Sequence, residues 1–137
     1  MLENYFENLN VTQKNMFVAL SKYAAMSNHR LDQAEKDAID AWCEMMSIKT
    51  ESYQVEIPLD KVLSELNASC DDIIKKVIFS EILSILAVDG EIDDDELAFA
   101  ENVSKSLEIS KTDADEMITI CIRIMNDYNA LNAVIYR

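Results

Sequence analysis

Glycine and proline are almost missing from this chain. Among 137 residues there is one Gly, Gly90, and one Pro, Pro58. Sheets and barrels need turn glycines every ten or so residues, whereas helical bundles do not, so the scarcity points to an all-α fold. A lone glycine also excludes both G-x-G-x-x-G and G-x-x-x-x-G-K-[ST], the two standard phosphate-cradling loops. A single histidine, His29, excludes H-E-x-x-H and the paired E-x-x-H pattern of carboxylate-bridged di-iron bundles. Basic residues are scarce too: 12 against 26 acids, for a net charge of −14. Such a chain repels phosphate backbones and anionic lipid, so no nucleic-acid partner is expected. It suits cations or basic protein surfaces.

The cysteines, Cys43, Cys70 and Cys121, are odd in number and show no C-x-x-C spacing. They fall in or beside apolar helical positions and read as buried free thiols, in keeping with a reducing cytosol. The opening Met1-Leu-Glu-Asn-Tyr-Phe-Glu7 has neither a basic flank nor an apolar stretch, so it does not read as a signal peptide. The longest apolar run, residues 77–88, contains Glu81 and is too short to span a bilayer. Half of all residues are apolar. That is enough for one domain, spanning 1–137, to bury a real core.

Apolar spacing divides the chain into seven to eight short helices. Leu2, Tyr5, Phe6 and Leu9 mark the first. Asn10 or Thr12 caps a second, which runs to about residue 27 with Phe17, Leu20 and Ala24 on one face. Asp32, with Glu35 three residues later, opens a third along the stripe Ala38, Ile39, Trp42, Met45 and Met46. Residues 47–57 read as a connection. Pro58 then starts a fourth helix, with Leu59, Val62, Leu63 and Leu66 inward. Ser69 is the expected cap of a fifth, over 70–88, which is apolar nearly all round and therefore central. Asp93 caps a sixth, to about residue 107, with Leu97, Ala100, Val103 and Leu107 inward. Ser110 or Thr112 caps a seventh, in which Met117, Ile118, Ile120, Cys121, Ile122, Ile124 and Met125 again nearly encircle the axis. That pattern predicts a second central helix. A short tail helix follows over 130–136. The methionines fall largely on these stripes and read as core filler. His29 sits in a polar turn and reads as a surface residue.

A shift of 61 residues lays Asn28-His-Arg-Leu-Asp-Gln-Ala-Glu35 on Asp89-Gly-Glu-Ile-Asp-Asp-Asp-Glu96. Asp32 then matches Asp93, Glu35 matches Glu96, Leu31 matches Ile92 and Ile48 matches Ile109. This weak two-fold internal repeat gives halves of about 11–68 and 69–137, of which only the second keeps its Asp-Gly and its charge.

The second of these turns concentrates the chemistry. Six of the eleven residues in Ala87-Val-Asp-Gly-Glu-Ile-Asp-Asp-Asp-Glu-Leu97 are acidic, and no Lys or Arg occurs between Lys76 and Lys105. Asp93 and Glu96 form a capping-box pattern worth on the order of 1 kcal/mol. Asp94 and Asp95 in the first turn gain about 0.3–1 kcal/mol each from the helix dipole. Gly90 reads as a left-handed helix stop, with Ile92 as the inward anchor. Asp89 and Glu91 have no evident backbone role. Each pair of carboxylates about 7 Å apart in water costs roughly 0.6 kcal/mol, so the cluster carries a charge excess beyond capping need. A divalent cation or a basic partner relieves it. The turn also matches the second half of an EF-hand loop, with Asp89, Glu91, Asp93 and Glu96 at ligand-bearing positions. Ile85 and Ala87 stand where the first two oxygen ligands belong, so this is not a working loop of that type. Three readings follow: solvated caps, a weak hard-cation site (Ca²⁺ or Mg²⁺), or a docking surface for a basic protein. Hydrolysis by paired carboxylates is a fourth, lacking an evident cleft or electrophile.

The segments Ile85-Leu-Ala-Val-Asp-Gly-Glu-Ile-Asp-Asp-Asp-Glu96 and Leu107-Glu-Ile-Ser110 together resemble the TerB-like family, helical domains named after tellurite-resistance protein B. The shared pattern is an apolar helix ending in Ala-x-Asp-Gly-x-Ile, a capped helix with an early Glu, and a Leu-Gly-Leu-Ser-like stop. Glu108 replaces the usual glycine of that stop. The motif covers about 26 residues, 85–110, and the helix order extends the match to most of the chain. The resemblance implies an all-α fold of about seven helices and a cytoplasmic protein tied to tellurite or other chemical stress, and with no catalytic motif in the chain a non-enzymatic module is expected. The resemblance also implies protein partners, often at the inner face of a membrane. The family's suspected metal-binding acids carry over to Asp89, Glu91, Asp93 and Glu96. In the first copy of the turn only Asp32 and Glu35 carry over, since Asn28 stands where Asp is expected.

Overall fold

Asn10 opens the first described helix with a complete capping box. Its side chain accepts the Gln13 N–H at 2.8 Å, and the Gln13 side chain accepts the Asn10 N–H at 2.9 Å. Two orphan donors at the helix start are thereby satisfied. The computed structural model describes residues 7–27 and 57–137, with residues 33, 37, 40, 41 and 44 besides. Within them lie α1 (Val11–Ala25), α2 (Leu59–Ser69), α3 (Asp72–Leu86), α4 (Asp94–Ser106) and α5 (Lys111–Ile135). Among the described residues no strand occurs, so the chain is all-helical as its composition predicts.

Helices α1 and α2 pack antiparallel, and two side chains of α1 fix their ends. Near the start of α1 the Gln13 amide donates to the Ser69 carbonyl at 2.8 Å; near its end the Tyr23 hydroxyl donates to the Ile57 carbonyl at 2.7 Å. Helix α3 lies against α1, α4 and α5, and α4 also meets α2. Phe17, Leu20, Val62, Leu66, Ile78, Phe79, Ile82, Leu83 and Leu107 are all completely buried where these elements meet. Full burial of each such side chain is worth about 1.5–3 kcal/mol, which makes this junction the main stabilising term. The all-round apolar character of α3 thus has its expected meaning, while Ile73 at its first turn faces solvent.

Several boundaries differ from the sequence reading. Ser69 is the last residue of α2 and does not cap α3; the carboxylate of Asp71 does, accepting the Ile74 N–H at 2.8 Å. The Ser69 hydroxyl instead donates back to the Glu65 carbonyl one turn earlier, which removes it from a capping role. Ser110 rather than Thr112 caps α5. The expected tail helix over 130–136 is not separate. It is the end of a single 25-residue α5. Met125-Asn-Asp-Tyr-Asn129 looks like a breaker, but it holds neither Gly nor Pro, and Asn and Asp cost only about 0.7 kcal/mol apiece inside a helix.

Nor is α5 a second central helix. Only its Ala114 and Ile118 are buried, while Met117, Cys121 and Ile122 pack partly buried at the core's edge. At 25 residues it is about 37 Å long, well over the roughly 22 Å of the 15-residue α3 beneath it, so it reaches past the end of α3 to the turn beyond, where Asn126 and Asn129 sit.

The stop of α4 resolves the departure at Glu108. This residue has φ +57, the left-handed conformation that glycine favours. Its N–H bonds the Lys105 carbonyl at 3.1 Å, and the Ile109 N–H bonds the Ser104 carbonyl at 2.9 Å. These two bonds make a complete Schellman stop on a non-glycine residue.

The predicted first helix (apart from its buried Leu9), the stripe Ala38, Ile39, Trp42, Met45 and Met46, the connection 47–56, His29 and Cys43 lie outside the described residues. So does most of the 28–35 copy of the acidic turn.

Candidate functional site

The acidic turn leaves α3 at Ala87 and enters α4 at Asp94. Gly90 sits midway with φ +87 and donates its N–H to the Ala87 carbonyl at 2.8 Å. Ile92 points inward and packs against the core, as its alternation with exposed neighbours predicts. The capping box is complete. Asp93 Oδ1 accepts the Glu96 N–H at 2.8 Å, and Glu96 Oε1 accepts the Asp93 N–H at 3.2 Å.

Asp89 has a role that periodicity did not reveal. Its Oδ1 accepts the Glu91 N–H at 3.1 Å, closing a side-chain turn around Gly90. Of the four expected ligand residues, Asp89, Asp93 and Glu96 therefore each commit one oxygen to the backbone. Glu91 stands exposed, as do Asp94 and Asp95 at the start of α4. Partial burial, aided by the nearby Asp93 and Asp89 carboxylates, pushes the Glu96 carboxyl above its ordinary range, against the Asp93 N–H that favours its charge. Among the described residues, no three His, Cys, Asp or Glu side chains are gathered so as to hold a metal ion.

The C-terminal half of α5 braces the turn from the other side. The Asn129 amide donates to the Val88 carbonyl at 3.4 Å, and the Asn126 side chain lies directly over the α carbon of Gly90. Sequence reasoning missed this contact because it placed Asn126 and Asn129 in neither the seventh helix nor the tail helix.

Two further features escaped the sequence. At the far end of α4 from the turn, Glu101, Lys105, Lys111 and Asp115 rim a groove of about 360 Å³ floored by Ile109, Ala114 and Ile118. The Lys111 ammonium is held by Asp115 at 2.8 Å. The second feature is Glu81, a buried carboxyl on α3. Burial pushes it above the ordinary carboxylate range. Burial, with Glu81 nearby, also pushes the half-buried Cys121 thiol up. Cys70 is buried as expected, and burial raises its thiol as well. At Cys70 burial outweighs the nearby Lys75 ammonium, and at Cys121 burial and Glu81 act together, so neither thiol is activated as a nucleophile.

Among the described residues, no helix is long and apolar enough to cross a membrane. No protein-family model matches this chain, and no curated protein or solved structure does.

Proposed function

We propose that this chain is a non-enzymatic, cytoplasmic interaction module of the TerB-like kind, which docks a basic protein surface on the 89–96 corner. The observation that carries this reading is the division of labour among six carboxylates. Asp89, Asp93 and Glu96 hold the backbone, Glu91 and Asp94 present exposed charge around them, and Asp95 adds to the negative charge of the first turn. A helix N-terminus with three acids in its first turn is more negative than capping needs. The TerB-like resemblance adds an all-α plan of about seven helices and a role in tellurite or chemical stress near the inner membrane face.

The test is titration of a Lys/Arg-rich peptide against the chain by calorimetry at about 50 and 300 mM salt. Binding should weaken several-fold at the higher salt, and again in a Glu91→Gln/Asp94→Asn/Asp95→Asn variant, whose capping residues are intact. Equal affinity for the variant would overturn the reading.

A second reading, a weak Ca²⁺ or Mg²⁺ site using the remaining oxygens of Asp89, Glu91, Asp93 and Glu96, draws support from the raised Glu96 carboxyl. Burial is the first cause of that shift, and the Asp93 and Asp89 carboxylates add to it; a cation relieves that added charge. Amide shifts confined to residues 89–96 at millimolar metal would support it, and their absence would sink it.

A further inference from the structure

The C-terminal half of α5 carries an apolar stripe that the fold leaves uncovered. Ile124, Tyr128, Leu131 and Ile135 are 56%, 57%, 57% and 60% exposed. Their spacing alternates four, three and four residues, and Met117 and Cys121 extend it backwards in the same rhythm. That is the 3.5-residue period of a two-helix seam; its first members, Met117 and Cys121, already pack at the core's edge, and from Ile124 onward the same stripe is exposed. We infer that this stripe is the interface of a homodimer, formed by two copies of α5 packed antiparallel.

Charge selects the occupant. Residues 117–137 contain one acid, Asp127, and two bases, Arg123 and Arg137, while all the remaining acids of this −14 chain lie before residue 117. Among the described residues, the stripe is thus a long surface on which a second copy meets little repulsion. A basic partner would be drawn to the acidic turn instead.

The antiparallel register is self-complementary. With Tyr128 of one copy level with Leu131 of the other, Ile124 falls level with Ile135, so apolar meets apolar in every layer. The two Asp127 carboxylates stay about a turn and a half apart, roughly 7.5 Å along the axis. The acidic bodies, which cover the first half of each α5, then lie at opposite ends. A parallel pair would set them side by side. Covering the four stripe residues with the exposed Val134 and Tyr136 on both copies removes on the order of 1,000 Å², the lower bound for a specific interface. The dimer is therefore a reversible one, dissociating in the micromolar range.

Sedimentation of the full chain across about 1–500 µM at physiological salt tests this. The mass should double over that range. Ile124→Asp and Leu131→Asp should each remain monomeric throughout, with unchanged helical circular dichroism, because both positions face solvent in the single chain. A chain that stays monomeric at every concentration overturns the inference. A dimer that survives both substitutions also overturns it, by placing the contact on another surface. So does a monomer destabilised by Leu131→Asp, which would mean that the chain covers the stripe itself.

Discussion

Gly90 and Asn126 share one small volume: a β carbon built on Gly90 would collide with the Asn126 side-chain oxygen. Two independent constraints therefore act at the same residue, the left-handed φ and the close approach of α5. The Gly90→Ala variant is expected to lose about 1–2 kcal/mol from the backbone alone. The collision involves the far end of an exposed side chain that can rotate aside, so it adds less. Urea unfolding of G90A, N126A and the double variant separates the two. The G90A cost should shrink, without vanishing, in the N126A background. A full rescue by N126A would mean that the φ value is not the main constraint.

The capping box makes a sharper contrast. Asp93→Ala removes the acceptor for the Glu96 N–H and should cost about 1 kcal/mol. Asp94→Asn and Asp95→Asn remove favourable dipole interactions of about 0.3–1 kcal/mol each but also relieve repulsion. Their net effect should be near zero, and more favourable at low salt. Thermal melts at two salt concentrations check this. An equal loss for all three variants would show that charge, not hydrogen bonding, sets the stability of the turn.

Two carboxyls give the pH profile its sign. Glu81 and Glu96 both titrate above their ordinary 4.5 in the folded chain, chiefly through burial. The folded state therefore takes up protons before the unfolded state does, and stability rises as pH falls from neutrality towards 4.5. Asp113, held low by its hydrogen bond with Lys76, works in the opposite sense. Its contribution is present above 3.8 and is lost as pH falls through its lowered value. The urea midpoint should thus increase between pH 7 and pH 5. Glu81→Gln should be more stable than the parent at pH 7, by about 1 kcal/mol, with a flatter profile. A midpoint that falls over that interval would contradict the assignment.

The left-handed Glu108 offers a gain. A non-glycine residue in this conformation costs about 1–2 kcal/mol, and a new glycine returns about 0.4–1 kcal/mol of that through the entropy of the unfolded chain. Glu108 also accepts an exposed hydrogen bond from Asn67 at 3.3 Å, which the substitution forfeits. The Glu108→Gly variant should still be more stable, by roughly 0.5 kcal/mol. Glu108→Ala should bring no gain, because the strain remains. Melting temperatures of the pair decide it.

Much of the described fold was legible from periodicity and capping chemistry. Asp93 caps the helix it was expected to cap, Asn10 and Ser110 prove to be the caps of the two alternatives each helix offered, and Phe17, Leu66, Ile82 and Val103 lie in the core. What escaped has physical causes. Ser69 and Asp71 are both good caps two residues apart, and local preference does not choose between them. The stripe on α5 reads like core because apolar spacing records only that a face wants covering, not what covers it. Asn126 and Asn129 look like breakers in isolation, since their partners at Gly90 and Val88 are about 40 residues away in sequence. The role of Asp89 depends on the φ of the next residue, which no spacing reveals.

The bracing of the acidic turn has a consequence for affinity. Fixing one residue's backbone costs about 1–2 kcal/mol of conformational entropy, and a flexible acidic loop would meet that cost on each encounter. Here the hydrogen bonds of Asp89, Gly90, Asp93 and Glu96, with Asn129 behind Val88, have already met it during folding. A ligand arriving at this corner finds its carboxylates on a rigid platform. Little of its binding energy goes into ordering the protein, and even a few charged contacts can register as measurable affinity.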